Sequence, residues 1–296
     1  MTHSPLRRSL LLAAASAPVL AACASPRGGS PAVEAGHRQL AALDAAFAGG
    51  RIGVAALDTG SGARLLHRAD ERFAFCSTFK TILVSAVLTR AAGDPRLLSS
   101  VIRYRAQDLV RYSPVSEKHV DTGMSVAGLC AAALQYSDNS AANLLIRMVG
   151  GPAAVTAYAR SIGDRRFRLD RIETELNDAV PGDERDTTTP AAMLDTLRRV
   201  TLGDALDASG RAQLISWMLG NTTGDARIRA GVPAGWRVAD KTGSGDYGSA
   251  NDVAVIYPPQ RAPIVLVVYT TRDRKDAEYD NAAIASAARI VTAAFG

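Results

Sequence analysis

The order of apolar and polar residues predicts β-strands at both ends of the chain. Near the amino end, the runs "RIGVAALD" and "ARLLHRA" flank the glycine-rich turn "TGSG", a pattern that predicts a β-hairpin. Near the carboxyl end, "WRVADKTG", "SANDVAVIYP" and "APIVLVVYTT" predict three further strands. A helical period over residues 37–49 precedes the hairpin, and another over residues 277–295 ends the chain.

The middle of the chain has a helical period instead. Helices are predicted over 77–92, 125–135, 140–149, 152–161, 190–200 and 208–219. Because the strands come from both chain ends, we expect an α+β fold in which a five-stranded antiparallel sheet, flanked by the terminal helices, carries an inserted all-α domain. The sheet domain is predicted at 37–68 plus 221–296, and the helical domain at 69–220. A cleft between the two is a natural place for a ligand.

The amino terminus has the composition of an export signal. Arg7 and Arg8 precede the apolar run "SLLLAAASAPVLAA", which ends at "LAAC". This ending resembles a bacterial lipobox, so we expect residues 1–22 to be removed and Cys23 to be lipidated. An ordinary cleaved signal with a chance cysteine is the alternative. The paired arginines followed by "SLL" also resemble a twin-arginine signal, and residues 23–36 are predicted to form a flexible tether.

The composition excludes several classes of function. The chain is 47% hydrophobic and 21% charged, which is typical of a folded globular protein and too polar for a multi-span membrane protein. Removal of residues 1–22 removes two arginines and lowers the formal net charge from +5 to +3. No dense stripe of Lys and Arg with interleaved aromatics is present, so nucleic acid is not an expected partner. The four histidines are scattered, so no metal site is expected.

The segment "STFK" carries the first candidate chemistry. On a helix, Ser77 and Lys80 lie one turn apart and share a face. A partly desolvated amine can take the hydroxyl proton, and the positive end of a helix dipole favours negative charge on the oxygen. The alternative is a helix-capping serine with a surface lysine, but a capping box would place Glu or Gln at position 80. The segment by itself leaves both readings open.

The segment "YSDNSAANLL" precedes a predicted helix. Ser137 could shuttle a proton, and the amide of Asn139 could bind a substrate carbonyl. Helix capping is the alternative for this segment, and the two readings are compatible.

The segment "DKTGSGDYG" lies at the end of a predicted strand. Lys241 supplies a positive charge, Thr242 a hydroxyl, and Gly243 the space for another backbone to approach. The backbone N–H of Ser244 could join that of Ser77 as a two-donor oxyanion hole. The alternative is a strand that simply runs into a glycine-rich turn.

These segments occur in the order S-x-x-K, S-D-N and K-T-G, the set found in penicillin-recognising serine enzymes. Over nearly the whole mature chain, the sequence resembles the class A serine β-lactamases. The leader "SPLRRSLLL" and the block "ADERFAFCSTFK" most resemble the chromosomal Pen-type enzymes of Gram-negative bacteria. The resemblance implies the serine β-lactamase/penicillin-binding fold. It also implies hydrolysis of penicillins and cephalosporins through a Ser77 acyl-enzyme, antibiotic resistance, and no metal or organic cofactor.

The block "RIETELN" distinguishes this family from its relatives. It lies in a long charged loop, about residues 168–186, that resembles the class A Ω-loop. The resemblance implies that Glu173 activates the deacylating water and that Asn177 helps to hold it, since a positioned carboxylate can deprotonate water beside an ester. A solvated loop acid is the alternative for Glu173. For acylation, either Lys80 or Glu173 acting through a water could take the serine proton.

Further positions match supporting residues of the family. The resemblance implies that Arg171 and Asp186 form the ion pair closing the Ω-loop and that Asn143 braces it. It implies that Tyr112 is the aromatic side chain at the cleft mouth and that Arg227 binds the substrate carboxylate. Packing at the edge of the core and a plain surface charge are the alternatives for the last two.

The cysteines depart from some members of the family. The position that would pair with Cys130 is Val84 here, and the position that would pair with Cys76 is Gly245. Both thiols are therefore predicted to be free and buried. The substrate range of the disulfide-bearing carbapenem hydrolysers is not carried over.

Three rival functions share parts of this pattern. A D,D-peptidase or penicillin-binding protein has the first three segments but releases its acyl group slowly. A non-hydrolytic β-lactam sensor needs a transmembrane segment, and a structural envelope lipoprotein on the same fold would have lost a motif residue. We expect a monomeric periplasmic enzyme whose partners are small β-lactams, with membrane contact only through a lipid on Cys23.

Overall fold

The computed structural model describes residue 1 and residues 30–296 of the 296-residue chain. Apart from residue 1, the predicted export signal lies outside the described residues, and so do residues 23–29 of the predicted tether, including Cys23. Within residues 30–296, no helix combines the length and apolar character needed to cross a membrane.

In the described chain, the long strands lie near the two ends and most of the helices lie between them, as the hydrophobic pattern predicts. The α-helices are α1 (Pro31–Ala46), α2 (Lys80–Gly93), α3 (Val126–Gln135), α4 (Asn139–Val149), α5 (Pro152–Ser161), α6 (Pro190–Thr201), α7 (Ala208–Leu219), α8 (Ile228–Gly231) and α9 (Asn281–Phe295). The strands are β1 (Gly50–Asp58), β2 (Arg64–His67), β3 (Phe73–Ala74), β4 (Val101–Ile102), β5 (Met124–Ser125), β6 (Thr187–Thr188), β7 (Arg237–Gly245), β8 (Ser249–Tyr257) and β9 (Ile264–Arg272).

The main sheet is antiparallel, with strand order β2-β1-β9-β8-β7. β1 pairs along its whole length with β9, from Gly50 opposite Arg272 to Asp58 opposite Ile264. The two chain ends therefore build one sheet, which confirms the predicted five-stranded antiparallel arrangement. Two further two-stranded sheets, β3 with β6 and β4 with β5, lie within the part predicted to be all-α. The part of the chain predicted to be all-α therefore also contains short pairs of β-strands between its helices. The domain boundaries stay a prediction.

Both faces of the sheet are covered. Leu57, Val255 and Val267 face one core, shared with α2, α3, α4, α6 and α7, whereas Val54 and Leu266 face a second core, shared with α1 and α9. Neighbouring residues of each strand thus point into different cores. This is why β8 and β9 read as nearly continuous apolar runs in the sequence. Each large apolar side chain buried in this way contributes about 1.5–3 kcal/mol.

The two terminal helices begin at positions that differ from the prediction. α1 begins at Pro31, so residues 31–36, predicted as tether, are helical. Ser30 caps them by accepting a hydrogen bond from the Ala32 N–H at 3.3 Å, and a proline is favourable in the first helical turn. α9 begins four residues later than predicted, because the Asp280 side chain caps it by accepting from the Ala283 N–H at 2.9 Å.

Candidate active site

Ser77 lies in a 3-10 turn, Cys76–Phe79, that continues directly into α2 at Lys80. The sequence predicted that an α-helix begins at Ser77. In the structure Ser77 lies in the 3-10 turn, and the α-helix begins three residues later, at Lys80. Cys76 has a φ of 47°, a left-handed conformation that costs about 1 kcal/mol or more in a non-glycine residue. The ring of Phe75 stacks on that of Phe167 at 4.9 Å and helps to fix the turn. Ser77 itself is 7% exposed.

The amine of Lys80 is fully buried at the centre of the site. Its Nζ lies 2.9 Å from Ser77 Oγ, 2.7 Å from Asn139 Oδ1 and 2.9 Å from the Ser137 carbonyl oxygen. It also lies 3.0 Å from Glu173 Oε1. Burial lowers the pKa of Lys80 because it penalises the charged form, and the nearby negative charge of Glu173 opposes that shift.

Glu173 contacts the hydroxyl directly. Ser77 Oγ donates to Glu173 Oε1 at 3.0 Å. A separation this short is a hydrogen bond with no intervening water. The roles given to Glu173 and Asn177 in holding and activating a water stay a prediction. Glu173 is 2% exposed and lies against the turn that carries Ser77.

Side chains, not regular structure, hold Glu173 in place. Asn143 on α4 donates from Nδ2 to the Glu173 carbonyl oxygen at 2.7 Å and accepts from the Glu173 N–H at 2.9 Å. Asn177 donates from Nδ2 to Glu173 Oε2 at 2.5 Å. The Oδ1 atom of Asn177 is buried and has no hydrogen-bond partner among the described residues.

Arg171 and Asp186 join the two ends of the same loop. Arg171 Nε donates to Asp186 Oδ2 at 2.6 Å, while Asp186 Oδ1 accepts from the backbone N–H groups of Asp170 and Arg171 at 2.8 and 3.0 Å. A second carboxylate, Asp178, accepts from Arg171 Nη1 at 2.8 Å. The structure thus brings the predicted pair together at the base of the loop.

Strand β7 brings a second buried lysine to the site. Lys241 Nζ donates to Ser137 Oγ at 3.0 Å and to the Thr242 carbonyl oxygen at 2.8 Å. Ser137 lies between two amines, since Lys80 Nζ is 3.4 Å from the same hydroxyl. Burial, reinforced by the positive charge of Lys80, lowers the pKa of Lys241 well below its usual value.

Gly243 allows β7 to approach the nucleophile turn. A Cβ at this position would lie 2.8 Å from the Phe75 carbonyl oxygen and 3.0 Å from the Ser77 backbone nitrogen. Any side chain would push the strand away, so the backbone next to Ser244 is close to Ser77 only because residue 243 is glycine.

Arg227 is 6% exposed and reaches the end of β7 from the start of α8. It donates to the carbonyl oxygens of Gly243 and Asn251 at 2.7 Å, to Ser244 Oγ at 2.6 Å and to Asn281 Oδ1 at 2.9 Å. All four acceptors are neutral. Burial lowers the pKa of Arg227, and the charge of Asp252 opposes that shift.

The predicted residues meet in one cleft of about 520 Å³. Its lining includes Ser77, Tyr112, Ser137, Asn139, Asn177, Arg227, Thr242, Gly243 and Ser244. Tyr112 is 57% exposed at the mouth. Lys80, Glu173 and Lys241 lie behind the lining and reach it through hydrogen bonds, whereas Asn143, Arg171 and Asp186 support the loop.

Sequence reasoning missed a polar chain behind Thr242. Thr223 lies within hydrogen-bonding distance of the Thr242 hydroxyl and donates to Asn221 Oδ1 at 2.8 Å. Asn221 donates to Asp240, which also accepts from Arg229 at 2.8 Å. The segment "NTTGD" reads as an ordinary loop, and no spacing links it to a strand 19 residues further on. Tyr279, which also lines the cleft, was missed because the helical period over residues 277–295 gave no sign of a contact with the cleft.

Both cysteines of the described chain, Cys76 and Cys130, are free and buried, as predicted. Burial raises the pKa of each thiol above its usual range. Within residues 30–296, no three His, Cys, Asp or Glu side chains are grouped so as to hold a metal ion.

Comparison with known proteins identifies the family. A family model described as "Beta-lactamase enzyme family" matches residues 36–295. Beta-lactamase Toho-1 of Escherichia coli is 52% identical over 295 residues and covers 100% of both chains. Beta-lactamase OXY-1 of Klebsiella oxytoca is 50% identical over 292 residues, or 99% of both chains. The carbapenem-hydrolyzing beta-lactamase KPC of Klebsiella oxytoca is 57% identical over 249 residues, 84% of this chain and 85% of that one.

A solved structure agrees with these relatives. The crystal structure of a beta-lactamase from Desulfarculus baarsii has a TM-score of 0.88 and 54% identity, and the match covers 89% of this chain and 98% of that one. The finer assignment to the Pen-type enzymes stays a prediction. The chain belongs to the beta-lactamase enzyme family and is a class A serine β-lactamase.

Proposed function

We propose that this protein hydrolyses the β-lactam ring of penicillins and cephalosporins through an acyl-enzyme on Ser77, and thereby gives resistance to these antibiotics. One observation carries the proposal. In a cleft of substrate size, Ser77 Oγ is hydrogen-bonded to a buried lysine at 2.9 Å and to a buried glutamate at 3.0 Å. The first contact suits acylation, and the second suits release of the acyl group.

The substrate is proposed to bind along β7. Its carboxylate is drawn to Arg227, Thr242 and Ser244, because Arg227 has no anionic acceptor among its hydrogen-bond partners. Its ring carbonyl accepts from the backbone N–H groups of Ser77 and Ser244, which stabilise the oxyanion that forms on attack. Asn139 lines the same cleft, where its amide can contact the acyl side chain.

Two routes can activate Ser77. A protonated Lys80 can only donate hydrogen bonds, so the hydroxyl proton then passes to Glu173; a neutral Lys80 can accept it instead. The ion-pair distance of 3.0 Å between Lys80 and Glu173 favours the first route in the free protein. Ser137, between Lys80 and Lys241, is proposed to pass a proton to the departing ring nitrogen.

Release of the acyl group depends on the loop carboxylate. Once Ser77 is esterified, its oxygen has no proton to donate, and the direct contact with Glu173 loses its hydrogen bond. A water that donates to Glu173 and to the unpartnered Oδ1 of Asn177 would then be activated beside the ester. The burial of Glu173 beside Ser77 favours sustained turnover over the slow release of a D,D-peptidase.

The cellular setting is proposed from the sequence alone. The signal over residues 1–22 would direct the chain to the periplasm, by the general or the twin-arginine route, and Cys23 would carry a lipid. We propose that the enzyme acts there as a monomer on small β-lactams.

Intact-mass spectrometry with benzylpenicillin tests the proposal. We expect Glu173→Ala to lower turnover by about 10²–10⁴-fold and to accumulate a lasting adduct on Ser77. Acylation can continue, because loss of the Glu173 charge lowers the pKa of Lys80 further and frees its amine as a base. Ser77→Ala should form no adduct. Glu175→Ala, at an exposed position of the same loop, should keep parent-like turnover. Parent-like turnover by Glu173→Ala would overturn the assigned role.

A further inference from the structure

A hydrogen-bond chain behind β7 determines the direction of one hydroxyl proton in the cleft. The hydroxyl of Thr242, which is proposed to bind the substrate carboxylate, lies within hydrogen-bonding distance of the Thr223 hydroxyl. Both residues line the cleft. Taken alone, either oxygen of this pair could be the donor. The direction of the bond therefore depends on the groups behind Thr223.

The chain begins at the amide of Asn221, whose orientation is fixed on both sides. The Thr223 backbone N–H donates to Asn221 Oδ1 at 3.0 Å, and Asn221 Nδ2 donates to Asp240 Oδ2 at 2.6 Å. Asp240 is held in turn, since Arg229 Nε donates to its Oδ1 at 2.8 Å. A backbone N–H can only donate, so the amide atom that faces Thr223 must be the oxygen.

The amide oxygen sets the direction of the Thr223 hydroxyl. Thr223 Oγ1 lies 2.8 Å from Asn221 Oδ1, which has no hydrogen to offer, so the hydroxyl donates to it. A hydroxyl has a single proton, and Thr223 has used it. Towards Thr242 it can therefore only accept. In the free protein the Thr242 hydroxyl donates to Thr223, and its proton is engaged before any substrate arrives.

The next hydroxyl along β7 has the opposite arrangement. Ser244 Oγ accepts from Arg227 Nη2 at 2.6 Å, and its own proton has no acceptor among residues 30–296. Ser244 can donate to an incoming anion at once. Thr242 must first give up its bond to Thr223, because its single proton is already engaged.

We infer that Thr223 is a positioning residue that competes with the substrate carboxylate for the Thr242 proton and thereby weakens the binding of β-lactams. The inference deepens the proposed function and rests on it. Binding exchanges the hydrogen bond from Thr242 to Thr223 for one to the carboxylate, so the substrate gains only the difference between the two. The charged acceptor forms the stronger bond, so the exchange is still favourable.

The competition should change KM and not kcat. In the proposed complex, Thr242 contacts the carboxylate and not the atoms that react with Ser77. Its hydrogen bond is therefore equally strong in the bound substrate and in the transition state. A change in such uniform binding alters KM and leaves kcat the same.

Replacement of Thr223 by valine tests the competition. Thr223→Val removes the competing acceptor, nearly keeps the shape of the side chain and retains the backbone N–H that holds Asn221. We expect KM for benzylpenicillin to fall about fivefold, the value of one neutral hydrogen bond, with kcat unchanged. Thr223→Ser retains the hydroxyl and should keep the parent KM. KM does not depend on the amount of folded enzyme, so a folding defect cannot imitate the result.

A double-variant cycle tests whether the effect passes through Thr242. Thr242→Val has no hydroxyl proton at this position, so adding Thr223→Val to it should leave KM unchanged. The neighbouring threonine supplies a matched control. The exposed Thr222 hydroxyl donates to the Gln135 carbonyl oxygen at 2.9 Å, outside the cleft lining, and Thr222→Val should keep the parent KM.

A raised or unchanged KM in Thr223→Val would overturn the inference, because Thr223 would then not withhold the Thr242 proton. A fall in KM that persists in the Thr242→Val background would also overturn it. Failure of the parent protein to turn over benzylpenicillin would instead overturn the proposed function. The two failures are therefore distinguishable.

Discussion

At the scale of single residues, the site depends on ionisable side chains held away from water. Lys80, Lys241, Asp240 and Asp252 are all fully buried. Asp252 has few hydrogen bonds to offset the burial of its carboxyl. Its Oδ2 accepts from the Ile228 N–H at 3.0 Å, while its Oδ1 has no partner among the described residues. Burial, followed by the negative charge of Asp240, raises the pKa of Asp252 well above its usual value.

This raised pKa makes stability depend on pH. Well below pH 3.8, the Asp252 carboxyl is protonated in both the folded and the unfolded chain. As the pH rises, the unfolded chain releases the proton first, while the folded chain keeps it up to the raised pKa. The folded chain therefore binds more protons over this interval, and the contribution of Asp252 to the free energy of unfolding falls as the pH rises.

Replacement of Asp252 by Asn should remove that dependence. We compare the free energies of unfolding of Asp252→Asn and the parent at each pH. The difference, variant minus parent, should increase by about 1–2 kcal/mol from about pH 4 to about pH 8. Urea unfolding at a series of pH values measures the difference. Asp204→Asn, at an exposed position, should show a constant difference. A constant difference for Asp252→Asn would show that its carboxyl titrates normally in the folded chain.

At the same scale, short motifs were enough to find most of the chemistry. Ser77, Lys80 and Ser137 could be identified as candidates because each lies at or next to the beginning of a helix or turn that the sequence marks. The same logic failed for Thr223, whose segment looks like an ordinary polar loop and whose partner Thr242 is 19 residues away. It also failed for Tyr279, which the helical period over residues 277–295 placed in a helix and not at the cleft.

At the scale of elements, the loop over residues 168–186 is the least regular part of the site. Its regular structure is limited to the 3-10 turn Glu175–Asn177 and an isolated bridge between Arg168 and Thr187. The position of Glu173 therefore depends on side-chain contacts, chiefly those of Asn143 and the pair Arg171–Asp186.

Loss of the arginine should loosen this element. In Arg171→Ala the Asp186 side chain, which is 0% exposed, keeps its backbone N–H donors but loses its cation. We expect a loss of about 2–3 kcal/mol in the free energy of unfolding, because removal of one partner leaves a buried charge unpaired. Amide exchange over residues 168–186 should accelerate, and kcat should fall.

Arg185→Ala is the matched control, since Arg185 pairs with Asp183 on the same loop but is 53% exposed. Exposed pairs contribute little, so a change below about 0.5 kcal/mol is expected. If both variants lost the same stability, the special role of Arg171 would be refuted.

Element types were predictable from periodicity, whereas several ends were not. The strands of the main sheet and most helices lie within a few residues of their predicted bounds. α1 and α9 begin elsewhere because the capping contacts of Ser30 and Asp280 decide their first turns. The two short sheets were missed because a two-residue pairing leaves no period to detect.

At the scale of the whole molecule, the sheet has a separate core on each face, and the cleft lies where the nucleophile turn meets the end of β7. Cys76 and Cys130 are both 0% exposed, and Cys130 belongs to the core that the sheet shares with α2 and α3. Their exposure to solvent requires a large part of the molecule to unfold.

Thiol labelling can test this. A Cys23→Ser variant retains only Cys76 and Cys130, and we expect no reaction with Ellman's reagent in the native protein at about pH 8. Burial raises the pKa of both thiols, which disfavours the reactive thiolate. In denaturant, both should react. Rapid labelling of one thiol in the native state would contradict the burial of that residue.

The sequence alone determined which chemical groups are available and which elements carry them. Local periodicity records whether a face is buried, and motif spacing of three residues brings Ser77 and Lys80 onto one face. Tertiary structure decided which buried faces meet. Glu173 contacts Ser77 across 96 residues, and Lys241 contacts Ser137 across 104. These contacts arise from packing between distant segments, for which a local pattern contains no information.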